Sequence, residues 1–202
     1  MMFHVKHRIK CCFFNKICYY IYGAININGT RSGQECSSLN VLYLCAPFLV
    51  GDYMNNDIKY MKIALMEAQK AYDKGEIPIG AVIVKDNKVL AKAHNLKEST
   101  KQSTKHAEII AIEKASKKLN NWRLLDCTIY VTMFPCPMCA SAINQARISR
   151  LVYGTIPEYV DKQQIISILN DKNYGLPVEI VDNILSDDCL KLIQKFFVKK
   201  RQ

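Results

Sequence analysis

No stretch of this 202-residue chain reaches the ~20 apolar residues that a membrane-spanning helix needs. The strongest runs, 11–14 and 41–50, fall well short, so no membrane partner is expected. Internal repeats and low-complexity tracts are also missing, which argues against a solenoid or a disordered scaffold. Acidic residues are scarce: 18 Asp and Glu face 28 Lys and Arg, a formal net charge of +10. That balance suits a polyanionic partner such as nucleic acid, although a lysine-rich surface kept soluble by charge accounts for it equally well. An evenly spaced cysteine framework is lacking too. Five of the nine cysteines fall in residues 1–53 and four in the remainder. A disulfide scaffold would span the domain with a regular, even count. The close pair Cys136 and Cys139 reads instead as a metal site in a reducing, cytoplasmic compartment.

Half the residues are hydrophobic, enough for a globular core, and the length suits one domain plus an extension. Residues 1–53 show neither helical period nor caps. Lys6, Arg8 and Lys10 precede an apolar run as in a signal peptide, but Asn15 and Lys16 interrupt it and no clean cleavage site is present. This segment reads as an over-extended start with Met54 the working initiator, as a disordered extension, or as a targeting or membrane-associating segment. Residues 54–202 form the expected catalytic domain. They carry 23 Lys and Arg against 16 Asp and Glu, so the basic excess does not depend on the extension.

Within 54–202 the periodicities are clear. Residues 58–74 predict an amphipathic helix with Met61, Ala64, Leu65, Ala68 and Tyr72 inward, stopped by Gly75. Residues 79–84 and 89–93 predict a hairpin turning at Asp86-Asn87. A helix is expected over 106–119, with Thr104 the expected N-cap. Then come a strand at 128–132, a helix at 137–145, and strands at 151–153 and 178–181. A basic helix closes the chain at 190–200, with Phe196 and Phe197 expected to anchor it to the core. Strands alternating with helices predict a three-layer α/β/α domain.

The chemistry concentrates in His106-Ala107-Glu108 and Pro135-Cys136-Pro137-Met138-Cys139. Helix, strand and helix succeed one another over 106–145. Both helices therefore start at the carboxyl end of the strand between them, the edge where open α/β sheets bind ligands. Residues three apart on a helix share a face, so Cys136 and Cys139 can bind one zinc ion with His106 as third ligand. Helix amino termini favour the thiolate form. Three protein ligands leave one coordination position open, as in catalytic zinc sites. Cys127 and His94 are poorly placed to close it, and Cys127 and Cys189 read as thiols without a role. Bound zinc lowers the pKa of a water to about 7, and Glu108 is placed to move that proton.

At these residues the sequence resembles the zinc-dependent cytidine and deoxycytidylate deaminase superfamily, whose signature is H-x-E…P-C-x-x-C. Residues 54–202 are most similar to bacterial tRNA-specific adenosine deaminases. The matching stretches are Gly75-Glu76-Ile77-Pro78-Ile79-Gly80-Ala81-Val82, Ala93-His94-Asn95-Leu96, His106-Ala107-Glu108-Ile109, Trp122-Arg123-Leu124, Tyr130-Val131-Thr132, Pro135 through Ala140, and Phe196 through Arg201. The resemblance implies a cytidine-deaminase-like fold with a mixed central sheet and one zinc ion per subunit of a homodimer. It implies conversion of adenosine to inosine at the wobble position, within the anticodon loop of a tRNA. It places Asn95 as a base-contacting residue, Ile79 and Ala107 as apolar contacts with the base, and the basic terminal helix against RNA. Three departures bear on substrate choice. Phe134 stands where the family usually has Glu, residues 155–161 replace an Asp-Pro-Lys and glycine-rich stretch, and Leu176-Pro177 replaces an Asn-His pair. A deaminase of a free base, nucleoside or nucleotide (guanine, cytosine or deoxycytidylate) is the alternative, and zinc as a structural staple in a binding module is a third reading.

Overall fold

The computed structural model describes residues 39–201 apart from Tyr159, with side chains from Asn55 onward. The chain divides into two units, Met1–Tyr43 and Leu44–Gln202. The sheet and every candidate site residue belong to the second unit. Residues 1–38 of the extension lie outside the described residues.

Helix α1 (Leu39–Asp73) begins before the expected residue 58 and crosses the compositional break at 53/54. The sequence does not advertise this continuation, because Pro47 and Gly51 both disfavour a helix interior. Its described inward face includes Tyr60, Met61, Ala64, Ala68 and Ala71. Gly75, at φ +74°, ends it. The Gly75 N–H donates to Tyr72 O (3.0 Å) and the Glu76 N–H to Ala71 O (2.9 Å). These are the two bonds of a Schellman cap, and they turn the chain toward the sheet.

Strands β1 (Gly80–Lys85) and β2 (Lys88–His94) form the expected hairpin. Asp86 and Asn87 both take positive φ, 49° and 58°, as a type I′ turn requires. A short helix α2 (Lys97–Thr100) leads to α3 (Ala107–Leu119), β3 (Thr128–Met133), α4 (Pro137–Gln145) and β4 (Arg150–Thr155). Helix α5 (Lys162–Leu169), strand β5 (Glu179–Val181) and helix α6 (Ser186–Arg201) complete the chain. Helices α2 and α5 are not among the elements expected from the sequence.

The strand order is β2-β1-β3-β4-β5. β1 is antiparallel to both neighbours, while β3, β4 and β5 run parallel. The sheet is therefore mixed and the expected three-layer α/β/α architecture is present. Side chains alternate between the layers as strand geometry demands. Ala81, Ile83, Ile129, Val131, Leu151 and Tyr153 join the core with α3, α4 and α5. Val82, Val84, Tyr130 and Val152 face Tyr60, Met61 and Ala64 of α1 and Cys189 of α6. A Cβ at Gly80 would collide with α1 backbone atoms of Ala64 and Ala68, so glycine lets strand and helix approach closely. At the amino end of β4, Arg150 binds Asp57 through two hydrogen bonds (2.7 and 2.8 Å), and Tyr130 donates to the same carboxylate (2.9 Å). This buried network ties α1 to the edge of the sheet away from the carboxyl ends of β3 and β4.

One expectation for α6 needs correction. Phe196 is buried and stands edge-on to Tyr72 at 6.2 Å, but Phe197 is 43% exposed. Anchoring falls to Phe196 alone. Phe197 is turned about 100° further round the helix than Phe196, away from Tyr72 and toward the cavity.

Candidate active site

His106 is the N-cap of α3, Cys136 is the N-cap of α4, and Cys139 lies in the first turn of α4 behind Pro137. Proline suits that position because its missing N–H would have no helical partner. The two helices flank β3 in sequence, and their amino ends meet beyond its carboxyl end. His106 Nδ1 lies 3.7 Å from Cys136 Sγ and 3.5 Å from Cys139 Sγ. All three ligating atoms fall within 4.8 Å of one another. One imidazole nitrogen and two sulfurs at such separations fit a single zinc ion, whose bonds to these atoms run about 2.0–2.3 Å. Among the described residues this is the sole cluster of three such groups. Cys127 and Cys189 are buried elsewhere as free thiols.

The thiols titrate apart. Donation from Cys139 holds Cys136 down to about 4, against the opposing effect of burial, and the His106 ring adds to the lowering. The same contact with Cys136, together with burial, pushes Cys139 up. The contact with Cys136 also raises His106. The site thus favours a thiolate on Cys136 at the amino terminus of α4, where the helix dipole also favours it.

Glu108 is 3% exposed, and its Oε2 has no hydrogen-bond partner. Burial pushes its carboxyl up to about 7. A buried carboxyl oxygen without a partner is costly, and such atoms cluster where a ligand or reacting group will satisfy them. Glu108, His106 and Cys136 line a cavity of about 390 Å³ together with Asn95 and Ile79. That volume is at the small end of ligand pockets and suits a single base.

Asn95 is buried, and its Oδ1 accepts from the Ala107 backbone N–H at 2.8 Å. Because that donor is an N–H, the oxygen must point at α3, which leaves the amide nitrogen to the cavity. The helix is therefore capped by Asn95 from a distance. The expected cap Thr104 does not serve, since the helix starts later and the N-cap position belongs to His106. The Ala107 side chain is fully buried in the core and the cavity lining does not include it. Its backbone, through Asn95, is what touches the site.

Two contributors are not among the site residues expected from the sequence. Glu76 is 1% exposed and accepts from the Glu98 N–H (3.0 Å), the Ser99 N–H (2.6 Å) and the Ser99 hydroxyl (2.7 Å). It thereby clamps the first turn of α2 beside the cavity. Burial alone would raise its carboxyl, but the three donors outweigh burial and hold it below its ordinary value. The other is α5. Asp161 caps it by accepting from the Gln163 and Gln164 N–H groups (2.9 and 3.2 Å). Pro157, Val160, Asp161, Gln164 and Ile165 then line the cavity, so the divergent 155–161 stretch forms part of its wall. Phe134 lines it too, buried against Tyr153 at 4.6 Å between ring centroids. Leu176 is exposed and does not reach the cavity.

Residues 55–201 match the model of the MafB19-like deaminase family. The chain is 39% identical over 150 residues to a tRNA-specific adenosine deaminase of Bacillus subtilis, covering 74% of this chain and 93% of the relative. A solved structure from studies of A-to-I editing by tRNA:A34 deaminases at the wobble position is similar with a TM-score of 0.62 and 32% identity. That match covers 66% of this chain and 98% of the other. A guanine deaminase from Nitrosomonas europaea shares the fold at 19% identity and a TM-score of 0.59, covering 68% and 82%.

Proposed function

The chain belongs to the MafB19-like deaminase family, and from that premise we propose that it hydrolyses adenosine to inosine at the wobble position of a tRNA. The observation that carries the reading is the partnerless, buried Glu108 Oε2 beside three ligating atoms, in a base-sized cavity. The Bacillus subtilis relative is a tRNA-specific adenosine deaminase. The divergence in the cavity wall leaves the metal and proton-transfer residues in place.

His106, Cys136 and Cys139 are the residues that would hold zinc. When bound, zinc supplies Lewis acidity that makes a water nucleophilic near neutral pH. Glu108 takes a proton from the attacking water and delivers it to N1 of the adenine. The water oxygen forms a bond to C6; Glu108 then carries the remaining proton of the C6 hydroxyl to N6, and the C6–N6 bond breaks as C6=O forms, so that the amino group leaves as ammonia. Burial raises the Glu108 carboxyl above the ordinary carboxylate range, which suits a group that must both accept and return that proton. The Asn95 amide donates to an acceptor on the base, and Ile79 packs its face. Ala107 acts through its backbone, by fixing Asn95.

The same reading makes residues 54–202 the deaminase domain, active as a cytoplasmic homodimer. No described helix is long and apolar enough to cross a membrane. The test is deamination of an anticodon stem-loop with adenosine at the wobble position, set against adenine, adenosine, cytosine, guanine and deoxycytidylate. The stem-loop should be converted far faster than any monomer. Preferred turnover of a free base or nucleotide would overturn the substrate and move the enzyme to the alternative class.

A further inference from the structure

A cluster of charged side chains lies outside both the metal site and the cavity wall, and the deamination chemistry does not use it. Glu67 of α1 is 5% exposed. Its Oε1 accepts from Lys70 Nζ at 2.6 Å, and its Oε2 lies 2.9 Å from His94 Nδ1. Lys74 Nζ lies 3.1 Å from His94 Nε2. An ammonium group has only donors, so Nε2 accepts from Lys74, and Nδ1 carries the proton donated to Glu67. Burial alone would raise the Glu67 carboxyl, but Lys70 and His94 outweigh burial and hold it below its ordinary value. The His94 ring is thus held at both nitrogens by residues on α1 or one position beyond it.

His94 is the last residue of β2 and pairs with Gly80, the first of β1. The next residue is Asn95, whose N–H donates to Ile79 O at 3.1 Å. Asn95 and Ile79, the two residues read as base contacts at the cavity wall, therefore directly adjoin the Gly80–His94 pair that ends the ladder. Consecutive side chains of an extended strand point to opposite faces, so His94 reaches α1 on one side and Asn95 reaches α3 on the other. Holding the imidazole fixes the rotation of the backbone at this junction, and with it the direction of the Asn95 amide. Stability does not call for a carboxylate and an imidazole here, because apolar side chains of similar volume commonly serve a buried site as well or better. What the polar pair adds is direction.

We propose that His94 is a positioning residue for deamination: held by Glu67 and Lys74, it aims the Asn95 amide nitrogen at the base. The inference rests on the proposed contact between Asn95 and the base.

The test is kinetic and uses the anticodon stem-loop. The full chain is compared with His94→Leu, His94→Asn, Glu67→Leu and Asn95→Asp, and with each Leu variant combined with Asn95→Asp. His94→Leu should lower kcat/KM by about 10–100-fold, the scale of a contact displaced by up to about 1 Å. In His94→Asn the amide nitrogen takes the place of Nδ1 and still donates to Glu67, so most of that loss should be recovered. Asn95→Asp already lacks the nitrogen being aimed, so adding His94→Leu to it should cost little more. Glu67→Leu should reproduce both the loss and the coupling, and it carries the test should His94→Leu fail to fold. Circular dichroism and metal analysis check the folding and zinc content of each variant. Penalties at His94 and Asn95 that simply multiply, or an Asn variant as slow as the Leu variant, would overturn the positioning role and leave the deaminase reading intact. An Asn95→Asp variant as fast as the unaltered protein would overturn the base contact and the inference together.

Discussion

Asn95 Oδ1 receives the Ala107 N–H at 2.8 Å, so one side chain from the end of β2 both caps α3 and faces the cavity. The cap and the recognition group are the two ends of one amide. They can be separated by chemistry. Asn95→Asp keeps an oxygen for the Ala107 N–H and loses the nitrogen donor. Asn95→Ala loses both. The Asp variant should retain melting temperature and zinc stoichiometry but fall in kcat/KM. The Ala variant should in addition lose about 1 kcal/mol of stability, the usual worth of such a cap. Equal activity in the Asp variant and the unaltered protein would show that the amide nitrogen does not read the base.

Glu76 gives a prediction with a defined pH window. Its carboxyl is held below the ordinary 4.5 by three donors from α2, which outweigh the opposing effect of burial. A depressed folded-state pKa contributes stability that is present above the unfolded value and is lost as pH falls through the folded value. Glu76→Gln should therefore cost about 1–3 kcal/mol at neutral pH. The gap from the unaltered protein should shrink as pH drops below the ordinary 4.5. A melting-temperature difference that stays constant from neutral to strongly acidic pH would remove the carboxylate clamp from the account. Because α2 borders the cavity, the variant should also raise KM more than it lowers kcat.

The metal cluster was legible in the sequence because it is local. Two cysteines three apart at a helix start, and a histidine at another, need only the helix-strand-helix order to converge. Strand alternation in β1, β3 and β4 was equally readable, since period 2 is imposed by the backbone itself. The Glu76 clamp was not readable. Its partners lie 22 and 23 residues away, and two of the three donors are backbone N–H groups that carry no residue signature. Thr104 failed as a cap for the same reason, since the oxygen serving α3 comes from Asn95, 12 residues upstream of Ala107. Helix α5 did leave a trace, in Asp161 ahead of Ile165, Ile166 and Leu169, which is an N-cap before a helical apolar stripe. The different fates of Phe196 and Phe197 arise from helix rotation, which composition does not report.

Glu108 should prove separable from the metal it serves. It stands outside the set of three ligating residues, and its Oε2 has no structural partner to lose. Glu108→Gln preserves shape and removes the proton-transfer group. Zinc content should match that of the unaltered protein and the fold should persist, while kcat falls by about 10²–10⁴-fold. Cys136→Ala should behave in the opposite way, losing the metal together with activity, and its melting temperature should no longer respond to a zinc chelator. A Gln variant that purifies without zinc would recast Glu108 as a ligand.

The basic end of α6 predicts how binding responds to salt. Lys199, Lys200 and Arg201 form the last turn of a helix whose neighbouring residue Phe197 lines the cavity. All three are exposed, so reversing them leaves the core untouched. If they meet the phosphates of a tRNA loop, each pairing releases counterions, and binding should weaken linearly in log Kd against log salt concentration. Replacing all three with Glu should weaken binding and flatten that slope by about one unit for each phosphate no longer met. Zinc content should not change, and melting temperature should shift little. Fluorescence anisotropy with a labelled anticodon stem-loop, measured from about 50 to about 300 mM salt, reads both affinity and slope. A variant with reduced affinity but an unaltered slope would mean that α6 acts by shaping the cavity rather than by meeting phosphates. A variant unchanged in both would detach the helix from RNA altogether and leave the basic excess to some other face of the domain.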